Sequence, residues 1–161
     1  MNDEIHNNIE KTKKLLQNIN NSDTIQFSEW TKEKANLRYN GQIPSSPIYN
    51  NFIYWCNLGI NIGSEQNKLR PVLILRTSKN SPICSILPLT TKRLQDNFWF
   101  HIDLEKINST ILVEQLKTVS KIRLTNPYRK MGNMISITQN DWNKINSQLA
   151  ALYKLRPLKD K

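Results

Sequence analysis

The sequence predicts an α+β protein in which a small, twisted antiparallel β-barrel carries a C-terminal helix and an N-terminal helical extension. Three observations lead to this prediction. Apolar residues recur at helical spacing before Gly41, short apolar segments separated by turn residues follow from Phe52, and an amphipathic stretch with a capping signal begins at Thr138. We therefore expect two parts, with residues 1–50 as a helical extension and linker and residues 51–161 as the barrel domain.

The extension is predicted to contain two helices. Residues 3–20 indicate an amphipathic helix, because their apolar side chains recur at spacings of three and four residues. A second helix is predicted from Ser28, as an N-cap, to Tyr39, with Gly41 placed to end it. Residues 42–50 contain proline and serine and are typical of a linker.

After the linker, the apolar period changes to that of strands. Six strands are predicted, over residues 52–58, 71–76, 83–89, 98–104, 111–118 and 131–137. Thr138 and Asp141 resemble a capping box at the start of the last helix. Its apolar stripe, which we expect to pack on the sheet, consists of Trp142, Ile145, Leu149 and Leu152. Residues 154–161 are expected to form a basic, frayed tail.

The charge of the chain is concentrated in the predicted barrel domain. The chain has 23 basic and 13 acidic residues, a net charge of +10, and the first 50 residues hold six of each kind. All of the net charge therefore belongs to residues 51–161. Such a domain attracts polyanions, but composition leaves nucleic acid, an acidic protein and an anionic membrane surface open as partners.

The composition also limits the compartment and the cofactors. No apolar run approaches the roughly 20 residues of a membrane helix, and the N-terminus lacks the order of a secretory signal. We expect a soluble, cytoplasmic protein that does not act at a membrane. Cys56 and Cys84 lie in apolar, strand-like runs and are expected to be buried free thiols. No cluster has metal-ligand spacing, so no metal or cofactor is expected.

Residues 63–76 form the most informative segment. A polar loop ends in Arg70-Pro71 and runs directly into four apolar residues, which places a guanidinium at the start of a buried strand. The segment Trp-Cys-Asn-Leu-Gly at 55–59 precedes it, and Leu-Pro-Leu-Thr at 87–90 and Ile-Leu-Val-Glu-Gln-Leu-Lys-Thr at 111–118 follow in order. Over roughly residues 51–153, these segments resemble the MazF/PemK family of toxin–antitoxin ribonucleases.

The resemblance implies a fold, an activity and partners. Family members share an SH3-like barrel of MazF/CcdB type and form two-fold symmetric dimers, so a homodimer is expected here. The implied activity is that of a sequence-specific endoribonuclease toxin, which cleaves single-stranded RNA without a metal ion and arrests translation. Such cleavage leaves a 2′,3′-cyclic phosphate and a 5′-hydroxyl. An acidic, flexible antitoxin protein would be the natural inhibitor of the basic groove.

The resemblance also implies roles for individual residues. Arg70 matches the catalytic arginine of the family and is expected to stabilise charge on the phosphoryl oxygens. Thr90 matches the catalytic threonine, and Glu65 is placed with the catalytic residues as a proton acceptor or a reader of a base edge. The residues expected to bind RNA are Gly63, Ser64, Gln66, Lys68, Thr91, Lys92, Arg93, Gln115 and Lys117.

Several of these residues are also consistent with a purely structural role. Glu65 is also consistent with a loop residue paired with Lys68 or Arg70, and the basic residues after Thr90 with a solvated loop. His101 lies in an alternating strand and is expected to be a packed or surface histidine rather than a general base. Aromatic residues such as Trp55, Phe98 and Phe100 are candidates for base stacking or for the core.

Two other functions are compatible with the same fold. One is a topoisomerase poison of the CcdB kind, which acts by binding a protein and has no need for Arg70 paired with Thr90. The other is a catalytically weak regulator that binds nucleic acid.

Overall fold

The computed structural model describes residues 2–154. Most of the predicted basic tail, residues 155–161, lies outside the described residues. By its internal contacts the chain divides into two compact units, Met1–Gly41 and Gln42–Lys161.

The first unit consists of two helices, α1 (Asn2–Gln17) and α2 (Asn21–Asn40). Helix α2 begins well before the predicted start at Ser28, because Asn20 is its N-cap. The Asn20 side chain accepts a hydrogen bond from the Asp23 backbone N–H at 2.9 Å and donates one to the Asp23 carboxylate at 2.7 Å. The first of these contacts satisfies a backbone donor that a helix start leaves open. Gly41 follows the last helical residue, as predicted.

The second unit is built on antiparallel strands and one helix. The strands are β1 (Ile53–Asn57), β2 (Leu69–Arg76), β3 (Ile83–Thr90), β4 (His101–Asp103), β5 (Thr110–Leu112), β6 (Lys117–Ser120), β7 (Leu124–Pro127), β8 (Arg129–Lys130) and β9 (Asn133–Met134). Helix α3 spans Gln139–Leu152. The main sheet has seven strands in the order β4-β5-β3-β2-β1-β7, with β6 also paired to β3, and β8 and β9 form a separate two-stranded sheet.

Strand β3 organises the sheet because it has three neighbours. One edge pairs with β2, with Val72 opposite Pro88. The other edge pairs first with β6 and then with β5, where Thr90 lies opposite Thr110. Among the described residues no ladder joins β4 to β7, so the barrel is not closed. The prediction of a small antiparallel β-barrel fold with helices at both ends is confirmed, with this open side as a detail that the sequence did not indicate.

Both faces of the sheet are covered by apolar side chains. Ile53 on β1 belongs to one buried cluster, whereas its neighbours Tyr54 and Cys56 belong to the other, as the two-residue period of a strand requires. This double burial explains why the strands appear in the sequence as nearly continuous apolar runs.

Helix α3 covers the first of these clusters. The Thr138 hydroxyl accepts from the Asp141 backbone N–H, and the Asp141 carboxylate accepts from the Thr138 N–H, which completes the predicted capping box. Ile145 is fully buried, and Leu149 and Leu152 pack against the same cluster. Three of the four residues of the predicted apolar stripe, Ile145, Leu149 and Leu152, therefore pack on the sheet.

Several predicted strands differ in extent from the observed ones. The predicted strand 98–104 is reduced to β4, and a 3-10 turn at Val113–Gln115 divides the predicted strand 111–118 into β5 and β6. Strand β7 was not predicted, because its sequence Leu-Thr-Asn-Pro is polar and ends in proline. Its pairing with β1 is a tertiary effect that overrides weak strand propensity.

Both cysteines are buried and free, as predicted. Burial raises the pKa of the Cys56 thiol to about 12 and that of the Cys84 thiol to about 11. Within residues 2–154, no helix is both long enough and apolar enough to span a bilayer.

Candidate active site

The start of β2 and the end of β3 line a cleft of about 400 Å³. Arg70 lies opposite Cys56 in the β1–β2 ladder. The β2–β3 register pairs Val72 with Pro88, and the same register continued by two residues brings Arg70 level with Thr90. Residues opposite each other in neighbouring strands have Cβ atoms about 5 Å apart. Both side chains line the cleft, so two of the three residues expected to be catalytic lie together, whereas Glu65 does not line the cleft.

The guanidinium of Arg70 is held in a defined plane. Its Nε–H donates a hydrogen bond to the backbone carbonyl of Asn67 at 2.9 Å, and the residue is half-buried. Because Nε already donates to Asn67, the two terminal nitrogens are the donors left for an anion in the cleft. Their parallel N–H groups form the fork that binds two oxygens of a phosphate at once.

Thr90 presents a hydroxyl at the cleft. The residue is 5% exposed, and its Oγ1 accepts a hydrogen bond from the Lys92 backbone N–H at 3.2 Å. A hydroxyl that accepts one bond still has its own proton to donate. Thr90 can therefore donate to an oxygen that Arg70 also contacts.

An aromatic pair forms another wall of the cleft. The rings of Trp55 and Tyr128 have centroids 5.7 Å apart and an interplanar angle of 36°. Both residues are half-buried, and the buried Ser109 also lines the cleft. Sequence reasoning named Trp55 as a stacking candidate but missed Tyr128 and Ser109. The Tyr128 backbone N–H donates to the Ile53 carbonyl at 2.8 Å, which holds Tyr128 beside β1. No local sequence motif predicts this contact, because the two residues are far apart in the chain.

The predicted RNA-binding residues fall into two groups. Lys68 and Thr91 line the same cleft as Arg70 and Thr90. Lys92 and Arg93 are exposed and follow Thr91 directly. The remaining predicted site residues, which do not line the cleft, are Gly63, Ser64, Glu65, Gln66, Gln115 and Lys117.

This second group is joined by side-chain contacts. The Lys117 ammonium contacts the Glu65 carboxylate at 2.6 Å. Gln115 accepts a hydrogen bond from the Gln66 backbone N–H at 2.7 Å and donates one to the Ser64 carbonyl at 3.2 Å. The structural alternative predicted that Glu65 pairs with Lys68 or Arg70. That partner is wrong, because Glu65 forms its ion pair with Lys117 at the start of β6.

His101 is a packed histidine that lies outside the cleft lining. Its side chain is 7% exposed, with Nδ1 at 2.7 Å from Asp96 and Nε2 at 3.3 Å from Glu114. The expectation of a packed or surface histidine agrees with this position. Within residues 2–154, no group of three or more His, Cys, Asp or Glu side chains is placed to hold a metal ion.

The fold is shared with known MazF structures. The structure of MazF (Form-I) from Deinococcus radiodurans superposes with a TM-score of 0.57 at 14% identity, covering 69% of this chain and 100% of that one. A MazE–MazF structure (Form-II) from the same organism gives a TM-score of 0.53 at 14% identity with the same coverage. At these identities the likeness shows the fold alone.

The family is shown by the sequence comparison. The model of the PemK-like, MazF-like toxins of type II toxin–antitoxin systems matches residues 51–153, and the chain belongs to this family. A curated relative is Endoribonuclease EndoA from Bacillus subtilis (strain 168). It is 29% identical in an alignment of 82 residues that covers 45% of this chain and 71% of EndoA. The expected resemblance to the MazF/PemK family is thereby confirmed.

Proposed function

We propose that this chain is a metal-independent, sequence-specific endoribonuclease toxin that cleaves single-stranded RNA and thereby arrests translation. Family membership and the similarity to Endoribonuclease EndoA support the class of reaction. The single observation that carries the proposal is the cleft that Arg70 and Thr90 both line.

The proposed reaction uses the 2′-hydroxyl of the RNA as the nucleophile. Its oxygen forms a bond to the adjacent phosphorus and loses its proton, while the P–O5′ bond breaks and the 5′-oxygen gains a proton. The products are a 2′,3′-cyclic phosphate and a 5′-hydroxyl. Negative charge builds up on the phosphoryl oxygens in the transition state, and fixed donors aimed at these oxygens lower the barrier.

Arg70 and Thr90 are suited to supply those donors. The terminal nitrogens of Arg70 carry a permanent positive charge, which takes the role that a divalent cation has in other nucleases. The Thr90 hydroxyl donates to one of the same oxygens. Because Asn67 fixes the guanidinium plane before substrate arrives, little reorganisation is needed in the transition state.

The walls of the cleft favour unpaired RNA. A base exposed by a single strand can stack on the ring of Trp55 or Tyr128, which contributes about 1–3 kcal/mol per base. Lys68, which lines the cleft, and the exposed Lys92 and Arg93 supply positive charge for the phosphate backbone. The aromatic wall then accounts for a preference for single-stranded over double-stranded RNA, since paired bases cannot reach it.

Partners follow from the same family. The MazE–MazF structure contains a toxin with its antitoxin, and we propose an acidic antitoxin and a homodimer for this chain as well. The net charge of +10 favours an acidic chain laid across the domain. The division into residues 1–50 as an extension and 51–161 as the ribonuclease domain is part of the same proposal.

The test is incubation of the protein with a long transcript in EDTA, followed by mapping of the cleaved ends. Cleavage at a recurring short sequence by the wild type, and its loss in Arg70→Ala, is the expected result. Retention of RNA without cleavage would instead favour the regulator. Inhibition of DNA gyrase with neither cleavage nor retention would favour the topoisomerase poison.

A further inference from the structure

The two ends of the loop between β1 and β2 are joined by backbone hydrogen bonds, and one of the joined residues, next to Arg70, has a strained backbone. The Leu58 N–H donates to the Lys68 carbonyl at 2.9 Å, and the Lys68 N–H donates to the Gly59 carbonyl. Lys68 itself has a φ of 64°, in the left-handed region that a lysine rarely adopts. Such strain persists only where surrounding contacts impose it. Asn67, which fixes Arg70, directly precedes this strained residue.

The other side of the loop is held by two residues that follow β5. Gln115 makes two hydrogen bonds to the loop backbone, at Ser64 and Gln66, and Lys117 makes an ion pair with Glu65. Gln115 lies in the 3-10 turn and Lys117 begins β6. Both residues contact the loop from the place where the predicted long strand is interrupted.

We propose that Glu65, Gln115 and Lys117 form a loop clamp, and that its function is to position Arg70. The clamp holds residues 64–66, and the next residue supplies the carbonyl that fixes the Arg70 Nε–H. The three side chains are positioning residues, so Glu65 is not the general base and Lys117 is not a phosphate ligand. The inference rests on the proposed ribonuclease function and deepens it.

The energetics favour a joint action of the three residues. The Glu65 and Lys117 side chains are 54% and 24% exposed, and an ion pair of this kind stabilises little alone. The two Gln115 hydrogen bonds are made to backbone groups of the loop and hold the loop against the 3-10 turn. Release of the clamp lets Asn67 move, and a displacement of about 1 Å of a catalytic group lowers a rate by about 100-fold.

Exchanging the charges of Glu65 and Lys117 distinguishes a positioning role from direct roles as a general base or a phosphate ligand. The single variants Glu65→Lys and Lys117→Glu are each expected to lower kcat by about 10- to 100-fold with little change in KM. The double variant, in which the two charges are exchanged, is expected to recover to within about threefold of wild type. Lys79→Glu makes the same charge change in a turn away from the cleft and serves as the matched control.

Two outcomes would overturn the clamp. If Glu65 is the base, the double variant stays as inactive as Glu65→Lys. If Lys117 binds phosphate, Lys117→Glu raises KM, flattens the salt dependence of binding, and is not rescued by the exchange.

A second measurement does not depend on catalysis. Hydrogen exchange of residues 60–68 is expected to accelerate about 10-fold or more in Gln115→Ala, because the Gln66 amide loses its acceptor. Gln139→Ala on α3 is the control. Unchanged exchange would refute the clamp even if the wild type cleaves RNA, whereas accelerated exchange in a protein that does not cleave RNA would refute the proposed function alone.

Discussion

Among single residues, Arg70 combines a fixed guanidinium plane with a position beside the Thr90 hydroxyl. Arg70→Lys keeps the positive charge and removes the planar fork, so two oxygens can no longer be bound in parallel. We expect kcat for RNA cleavage to fall by about 100-fold or more while RNA binding changes by only a few-fold. The control is Arg76→Lys, at the exposed opposite end of β2. Equal effects of the two variants would show that the fork at Arg70 is not used.

Cys56 allows a prediction of stability against pH. Burial raises its pKa from 9.0 to about 12. Between these values the unfolded chain releases a proton that the folded chain retains, so the free energy of unfolding falls as the pH rises. One such group contributes a slope of about 1.4 kcal/mol per pH unit. Urea denaturation at pH 8, 9 and 10 should show a steeper decline in the wild type than in Cys56→Ala.

At pH 8 the alanine variant is expected to be less stable than the wild type through the cavity it leaves. Only the difference in slope reports the titration. Parallel slopes for the two proteins would contradict the burial of a protonated thiol at this position.

At the scale of elements, the sequence was most informative where a local pattern and its tertiary role agree. The capping box of α3 and the apolar runs of β1, β2 and β3 are observed close to their predicted places. Strand β7 and the partner of Glu65 were not predictable, because each depends on a contact between distant parts of the chain. Lys117, for example, lies far along the sequence from Glu65, and periodicity carries no information about such pairs.

The backbone of the β1–β2 loop allows a prediction of stability. Lys68 has a left-handed backbone, which glycine adopts freely and a β-branched residue adopts only with strain. Lys68→Val is therefore expected to be about 1–2 kcal/mol less stable than Lys68→Gly. Both variants remove the same charge, so chemical denaturation of the pair reports the backbone alone. Equal stability would mean that this turn relaxes without cost.

For the whole molecule, the division into two units gives a further prediction. Every residue that lines the cleft and both apolar clusters of the sheet belong to Gln42–Lys161. A chain shortened by residues 1–41 is expected to unfold cooperatively and to cleave RNA with a kcat within about threefold of the full chain. Its oligomeric mass, measured by light scattering, shows whether the helices contribute to assembly. A loss of cleavage with the fold intact would assign the helices to the active site.

The most direct test of the ribonuclease mechanism uses a short single-stranded RNA that contains one mapped cleavage site. In EDTA, the unmodified RNA is expected to yield a 2′,3′-cyclic phosphate and a 5′-hydroxyl. The same RNA with a 2′-O-methyl group on the nucleotide before the scissile phosphate should stay intact, because its nucleophile is blocked. Cleavage of the methylated RNA at the same linkage would contradict attack by the 2′-hydroxyl in the Arg70–Thr90 cleft.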